Sequence, residues 1–279
     1  MGDLELPRAE DGLAPDRLVT REWGAAEARP LVFWPSLNPW GSLQLVEVGP
    51  LLADLGLHVL AVAPPGGGET PTLDDPDDYR PRRLAQRVLE LADAHGIDRF
   101  VFMGASWGAA IGVHLAAGAP QRVEGLVMLD GGHVDVALDK PRDELVAEFE
   151  ADQERFAFDG WDAFLAWARD NVRSWRPSLE PRYRLAMTER GDGKIVPRAV
   201  ARAAAWAIHG VVVEPPSTAH AGLSMPVLLV VADDKRDAES EARFQEAVPH
   251  ARLEVLHSGH DVVEDAPAET VALVADWLG

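Results

Sequence analysis

Short apolar runs alternate along the chain with stretches whose apolar residues recur at helical spacing. Residues 18–23 and 31–34 form the first two runs, the second bounded by Pro30 and Pro35, as suits a buried strand. A helix is expected over 43–55, stopped by Gly56. The next run, 58–63, ends at Pro64, Pro65 and the glycines Gly66, Gly67 and Gly68. Over 81–95, Leu84, Val88, Leu91 and Ala92 share one helical face, and Gly96 suits the C-terminal cap. A strand over 99–103, a small-residue helix over 107–117 and a strand over 123–129 follow. Strands that alternate with helices predict a mostly parallel sheet flanked by helices on both faces.

The alternation breaks near Gly132. From there to about Leu223 the pattern is mostly helical and rich in tryptophan, with Trp161, Trp167, Trp175 and Trp206. It then resumes as a strand over 226–232, a helix over 239–247, a strand over 252–256 and an amphipathic helix over 266–278. The expected organisation is one α/β core made of residues 16–133 and 223–279, interrupted by a helical cap over 134–222. Residues 1–15 read as a loose polar arm.

Composition narrows the classes of function. Apolar residues make up 47% of the 279, enough for a sizeable core, and the net charge is −20. A chain this acidic repels phosphate backbones and anionic membrane surfaces, so neither nucleic acid nor membrane is an expected partner. With no cysteine there is no disulfide, thiolate nucleophile or cysteine metal site. Residues 1–12 lack the apolar core of a signal peptide, and no run reaches the ~18 apolar residues needed to span a bilayer. The expected location is therefore cytoplasmic.

The candidate chemistry begins at Gly104-Ala105-Ser106-Trp107-Gly108, a G-x-S-x-G segment set between a predicted strand and a predicted helix. A serine at such a sharp turn projects its hydroxyl above the sheet edge, and the flanking glycines avoid Cβ clashes. The next amide, Trp107, opens a helix and can donate to an oxyanion.

On this motif the chain resembles the α/β-hydrolase superfamily, in particular its serine esterase branch with a helical cap. The stretch 59–70 is similar to the superfamily's strand and glycine turn. Ser258-Gly259-His260, followed by Glu264, Pro267 and a terminal helix, is similar to its histidine loop. The resemblance implies Ser106 as nucleophile and His260 as general base; His257 is the rival histidine three residues earlier.

The superfamily's usual acid position falls on Lys235, flanked by Asp233, Asp234 and Asp237. Some members place the acid one strand earlier, where Asp130-Gly131-Gly132 follows the run 123–129. Asp130 is favoured, with Asp234 as the alternative. The usual His-Gly of the oxyanion loop is replaced by Pro35-Ser36, leaving Leu37 at the position of the second amide donor, with Ser36 or Asn38 as alternative donors.

The implied activity is hydrolysis of a small to medium apolar ester or related acyl compound through an acyl-enzyme on Ser106. The alternatives are other chemistry on this scaffold (carbon–carbon bond hydrolysis, acyl transfer or perhydrolysis) and a non-catalytic ligand-binding relative. The only expected partner is a small-molecule substrate, and no metal or organic cofactor is implied. The acidic cluster Asp74, Asp75, Asp77 and Asp78 lacks the spacing of a calcium loop and reads as solvated surface. The aromatic residues of the inserted segment suit either a pocket roof or that segment's own small core.

Overall fold

Seven strands form the main sheet of the computed structural model, which describes residues 18–279; the arm expected over 1–15 lies outside the described residues. The first half of the chain runs β1 (Val19–Trp23), β2 (Arg29–Trp34), α1 (Val48–Asp54), β3 (Leu57–Ala63), α2 (Pro81–Ala94), β4 (Phe100–Ala105), α3 (Trp107–Gly118) and β5 (Val123–Leu129). An insertion follows, with α4 (Arg142–Arg155), α5 (Trp161–Asn171), α6 (Glu180–Ala186), β6 (Met187–Glu189), β7 (Ile195–Pro197) and α7 (Ala201–Val213). The chain then returns to the sheet through β8 (Val227–Ala232), α8 (Ala238–Ala247), β9 (Arg252–Leu256), α9 (Val262–Asp265) and α10 (Pro267–Leu278).

The strand order is β1-β3-β2-β4-β5-β8-β9, and only β1 pairs antiparallel with its neighbour. β3, β4 and β8 are buried along their whole length. This is why they read as apolar runs, broken only by His58 of β3, which pairs with Glu22: a parallel strand covered by helices on both faces has no polar side. Alternate residues serve opposite faces. Val32, Leu60 and Phe102 pack toward α2 and α3, while Leu31, Val59 and Val101 pack toward α1 and α10.

Two elements differ from the sequence expectation. The helix expected over 43–55 is split into a 3-10 turn, Gly41–Leu45, and α1. Pro50 is the third residue of α1; it has no N–H to donate, so it fits a first turn and cannot lie inside a longer helix. The insertion, expected to be helical, also contains the two-stranded β6–β7 hairpin. Its turn holds Asp192-Gly193, with Gly193 at φ 82°, a turn signal legible in the sequence. Among the described residues, no helix is long and apolar enough to cross a membrane.

Because β2, β4, β5, β8 and β9 run parallel, their carboxyl ends open on one edge. The segments bearing Leu37, Ser106, Asp130, Asp233 and His260 all leave the sheet at that edge.

Candidate active site

Ser106 joins β4 to α3 with φ 50° and ψ −110°, a conformation that costs a non-glycine residue about 1–3 kcal/mol. Surrounding contacts hold it there. The Ser106 N–H donates to the Leu129 carbonyl at 2.8 Å, fastening the turn to β5. A Cβ on Gly104 would lie 2.4 Å from the Gly108 carbonyl, and one on Gly108 would lie 2.2 Å from the Trp34 carbonyl oxygen. The two glycines of the motif are thus required by backbone-to-backbone approach.

His260 lies between β9 and α9, and its Nε2 is 2.9 Å from Ser106 Oγ. Its Nδ1 is 2.6 Å from Asp130 Oδ2. An ionised carboxylate only accepts, so Nδ1–H donates to Asp130 and Nε2 is left to accept from the serine hydroxyl. Asp130 is itself held at φ 48°; its N–H donates to the Val230 carbonyl at 2.7 Å, and its Oδ1 accepts from the Ala232 N–H at 2.9 Å. Gly131 passes so close that a Cβ there would lie 2.4 Å from the Ser106 carbonyl oxygen. The structure therefore brings together Ser106, His260 and Asp130. It leaves the rivals outside this cluster: Asp234 accepts from Arg173 Nη1 at 3.1 Å, and His257 pairs with Asp233 at 2.6 Å as a largely exposed side chain.

Around Leu37 the backbone amides are sorted by their partners. The Ser36 N–H donates to Gln44 Oε1 at 2.9 Å, and the Asn38 N–H donates to the Ser36 carbonyl at 2.9 Å. Asn38 Oδ1 accepts from the N–H groups of Trp40 at 2.9 Å and Gly41 at 3.2 Å. Among the described residues the Leu37 N–H has no acceptor, so of the three backbone amides it is the one left for a ligand. The Trp107 N–H opens α3, where the first-turn amides have no partner within the helix and the helix dipole favours negative charge.

Two polar residues that the sequence reading did not single out, the buried Gln44 and the half-buried Asp261, stand beside this loop. Gln44 Nε2 donates to Ser36 Oγ at 2.7 Å and to Asp261 Oδ1 at 2.9 Å, and the Ser36 hydroxyl lies 3.3 Å from the same carboxylate oxygen. Gln44 is 1% exposed, and burial pushes the Asp261 carboxyl above the usual carboxylate range. The sequence signal for Gln44 was a lone amide between Leu43 and Leu45.

The α9 segment next to His260 is also gripped by the insertion. Arg182 and Glu264, both almost fully buried, pair at 2.7 Å. Arg176 Nη1 donates to the Glu264 carbonyl at 3.1 Å, and the Ser174 hydroxyl donates to Asp265 Oδ1 at 2.6 Å. Asp265 Oδ2 accepts from the Gly259 N–H at 2.8 Å, one residue before the histidine.

Two cavities flank Leu37 and Trp107, which line both. One, of about 280 Å³, contains Ser106, Asp130 and His260 together with His133, Arg236 and Glu241. Burial pushes the His133 imidazole below its ordinary value, which favours its neutral form. The other, of about 400 Å³, is mostly apolar and is roofed by Phe149, Phe156, Phe158, Phe164 and Trp167. The insertion's aromatics therefore divide. Phe164 serves both the cavity wall and the insertion's own core, while Trp161 and Trp175 pack against that core. Trp34 is fully buried, edge-on to Trp107, whereas Trp40 lines the apolar cavity.

A family model described as alpha/beta hydrolase fold matches residues 29–267. The chain belongs to the α/β-hydrolase family. Among solved structures, this α/β hydrolase superposes on the thioesterase domain from the curacin biosynthetic pathway with a TM-score of 0.77, at 16% identity over 92% of this chain and 94% of that one. It superposes on E-2-(acetamidomethylene)succinate hydrolase with a TM-score of 0.75, at 21% identity over 94% of each chain. An esterase of M. tuberculosis gives a TM-score of 0.71, at 20% identity over 98% of this chain and 92% of that one. At these identities the likeness is one of fold. A curated relative, "Putative carbamate hydrolase RutD" of Klebsiella pneumoniae (strain 342), is 41% identical over 56 residues, 20% of this chain and 21% of that protein. The match thus spans about a fifth of the length of the curated relatives.

Proposed function

We propose that this α/β hydrolase is a serine hydrolase that cleaves a small to medium apolar ester, or a related acyl compound, through an acyl-enzyme on Ser106. The observation that carries the reading is the hydrogen-bond chain from Ser106 Oγ through His260 to Asp130, opening on a cavity beside a free helix-terminal amide.

The Ser106 oxygen attacks the carbonyl carbon while its proton passes to His260 Nε2. The carbonyl oxygen becomes an oxyanion that accepts hydrogen bonds from the Leu37 and Trp107 amides. Asp130 holds the imidazole in the required tautomer and stabilises the imidazolium. Collapse of the tetrahedral adduct breaks the bond to the leaving group, which departs with the proton from Nε2. Water then gives its proton to the same nitrogen, attacks the acyl carbon and releases the acid and free Ser106. With Leu37 and Trp107 between two cavities, the apolar one under the aromatic roof suits the acyl chain and the one containing Ser106 suits the leaving group. The inserted segment acts as a cap over this substrate path.

A fluorophosphonate probe followed by intact-mass measurement tests the chemistry. One adduct is expected on the native protein and none on Ser106→Ala. An unlabelled, folded native protein would favour a non-catalytic binding role. A panel of p-nitrophenyl esters of graded chain length, with thioesters and carbamates added because relatives carry those names, then sorts the substrate class.

A further inference from the structure

Leu37 and His260 approach the reacting atoms from opposite ends of the chain, and the residues next to them are bonded to one another. Ser36 precedes Leu37, Asp261 follows His260, and Gln44 joins the two. Its carbonyl oxygen accepts the Ser36 N–H, while its amide nitrogen donates both to Ser36 Oγ and to Asp261 Oδ1. The orientation of this amide is settled by its partners, because the Ser36 N–H can only donate and therefore takes the amide oxygen, leaving the amide nitrogen for the hydroxyl and the carboxylate oxygen.

We propose that Gln44 and Asp261 are positioning residues that lock the oxyanion loop to the histidine loop, so that the Leu37 amide and the His260 imidazole are held in one register across the substrate carbonyl. The inference rests on the proposed serine-hydrolase function. It accounts for Pro35-Ser36 in the oxyanion loop. The serine places a hydroxyl and an N–H on Gln44, and through it on the segment that carries the base. Pro35 fixes φ just before that contact. Neither Gln44 nor Asp261 needs to touch substrate. Their effect is on geometry, and in a preorganised site a displacement of about 1 Å costs on the order of a hundredfold in rate.

The test is an exchange of donor and acceptor. Gln44→Glu keeps an acceptor for the Ser36 N–H but turns an oxygen toward Asp261, so the link becomes a repulsion. A fall in kcat of about ten- to a hundredfold is expected, with KM within about threefold of the native value. In the double variant Gln44→Glu with Asp261→Asn, the new amide donates to the new carboxylate. At least about a tenfold recovery of kcat over Gln44→Glu alone is expected. Asp261→Asn keeps an acceptor for Gln44 and should exceed Asp261→Ala in kcat by about tenfold.

Circular-dichroism melting accompanies each variant. If Gln44→Glu does not fold, the Asp261→Asn and Asp261→Ala pair decides. Equal losses in that pair would assign the effect to charge beside the imidazole and overturn the lock. So would a double variant no better than Gln44→Glu, or a Gln44→Glu enzyme with native kcat. The rate of fluorophosphonate labelling separates this failure from failure of the function itself. If only the lock is wrong, the native protein still labels on Ser106; if the function is wrong, the native protein does not label at all.

Discussion

Asp130 and Ser106 are the two non-glycine residues held at positive φ among those described, and they stand at the ends of adjacent strands with His260 between their side chains. Backbone strain of this kind persists only where the surroundings enforce it. Here strand hydrogen bonds and close glycines do so. The assignment of roles gives a sharp ranking. Asp130→Asn should lower kcat about 10⁴-fold: the amide oxygen keeps the Ala232 N–H, so its NH2 faces His260 Nδ1 and favours the wrong imidazole tautomer. Asp234→Asn, which only loosens a surface ion pair with Arg173, should leave turnover close to native. Steady-state kinetics on one ester, with melting curves for both variants, checks the order; the reverse ranking would move the acid to the loop after β8. Gly108→Ala offers a second check. Its Cβ has no room beside the Trp34 carbonyl, so probe labelling at Ser106 should be lost, or the folded state weakened, in a way that a change at exposed Gly191 would not reproduce. At this scale the serine turn was legible in the sequence, because the turn demands glycine at fixed offsets. It did not reveal Gln44 or Asp261, whose partners are 8 and 217 residues away from Gln44.

At the scale of elements, the short α9 joins the histidine loop to the rest of the protein. Its Glu264 is buried against Arg182 of α6, so two charges with little water around them depend on each other. Arg182→Met should therefore destabilise the protein by about 3–5 kcal/mol, because it leaves a buried carboxylate without its cation. The double variant Arg182→Met with Glu264→Leu should recover much of that loss, since a packed apolar pair can replace a buried ion pair. Urea unfolding of the three proteins measures this; a double variant worse than Arg182→Met would contradict it. The alternating core elements were legible in sequence because both sheet faces are covered and the inner strands β3, β4 and β8 are buried along their length. The break in the helix expected over 43–55 and the β6–β7 hairpin were less so. In each, a local signal at Pro50 or Asp192-Gly193 opposed the wider apolar or helical pattern.

For the whole molecule, parallel strands gather five chain segments at one edge, and the insertion supplies part of the wall of the apolar cavity. Ala204, on α7 in the wall of that cavity, is a place to narrow it. Ala204→Phe should reduce kcat/KM for longer acyl esters by about tenfold or more relative to acetate esters, since a crowded apolar pocket forfeits about 0.8 kcal/mol per excluded methylene. A chain-length series on both proteins would show it, and an unchanged profile would place the acyl chain elsewhere. The sequence by itself determined the alternating α/β order, the interruption after β5 and the serine turn. Each of these depends on residues close together in the chain, through periodicity, proline and glycine. Only the tertiary structure set Asp130 rather than Asp234 beside His260, left the Leu37 amide without an acceptor and brought Gln44 to Asp261. Those depend on which chain segments become neighbours in space, and that is set by the sheet and by the packing of the insertion on α9.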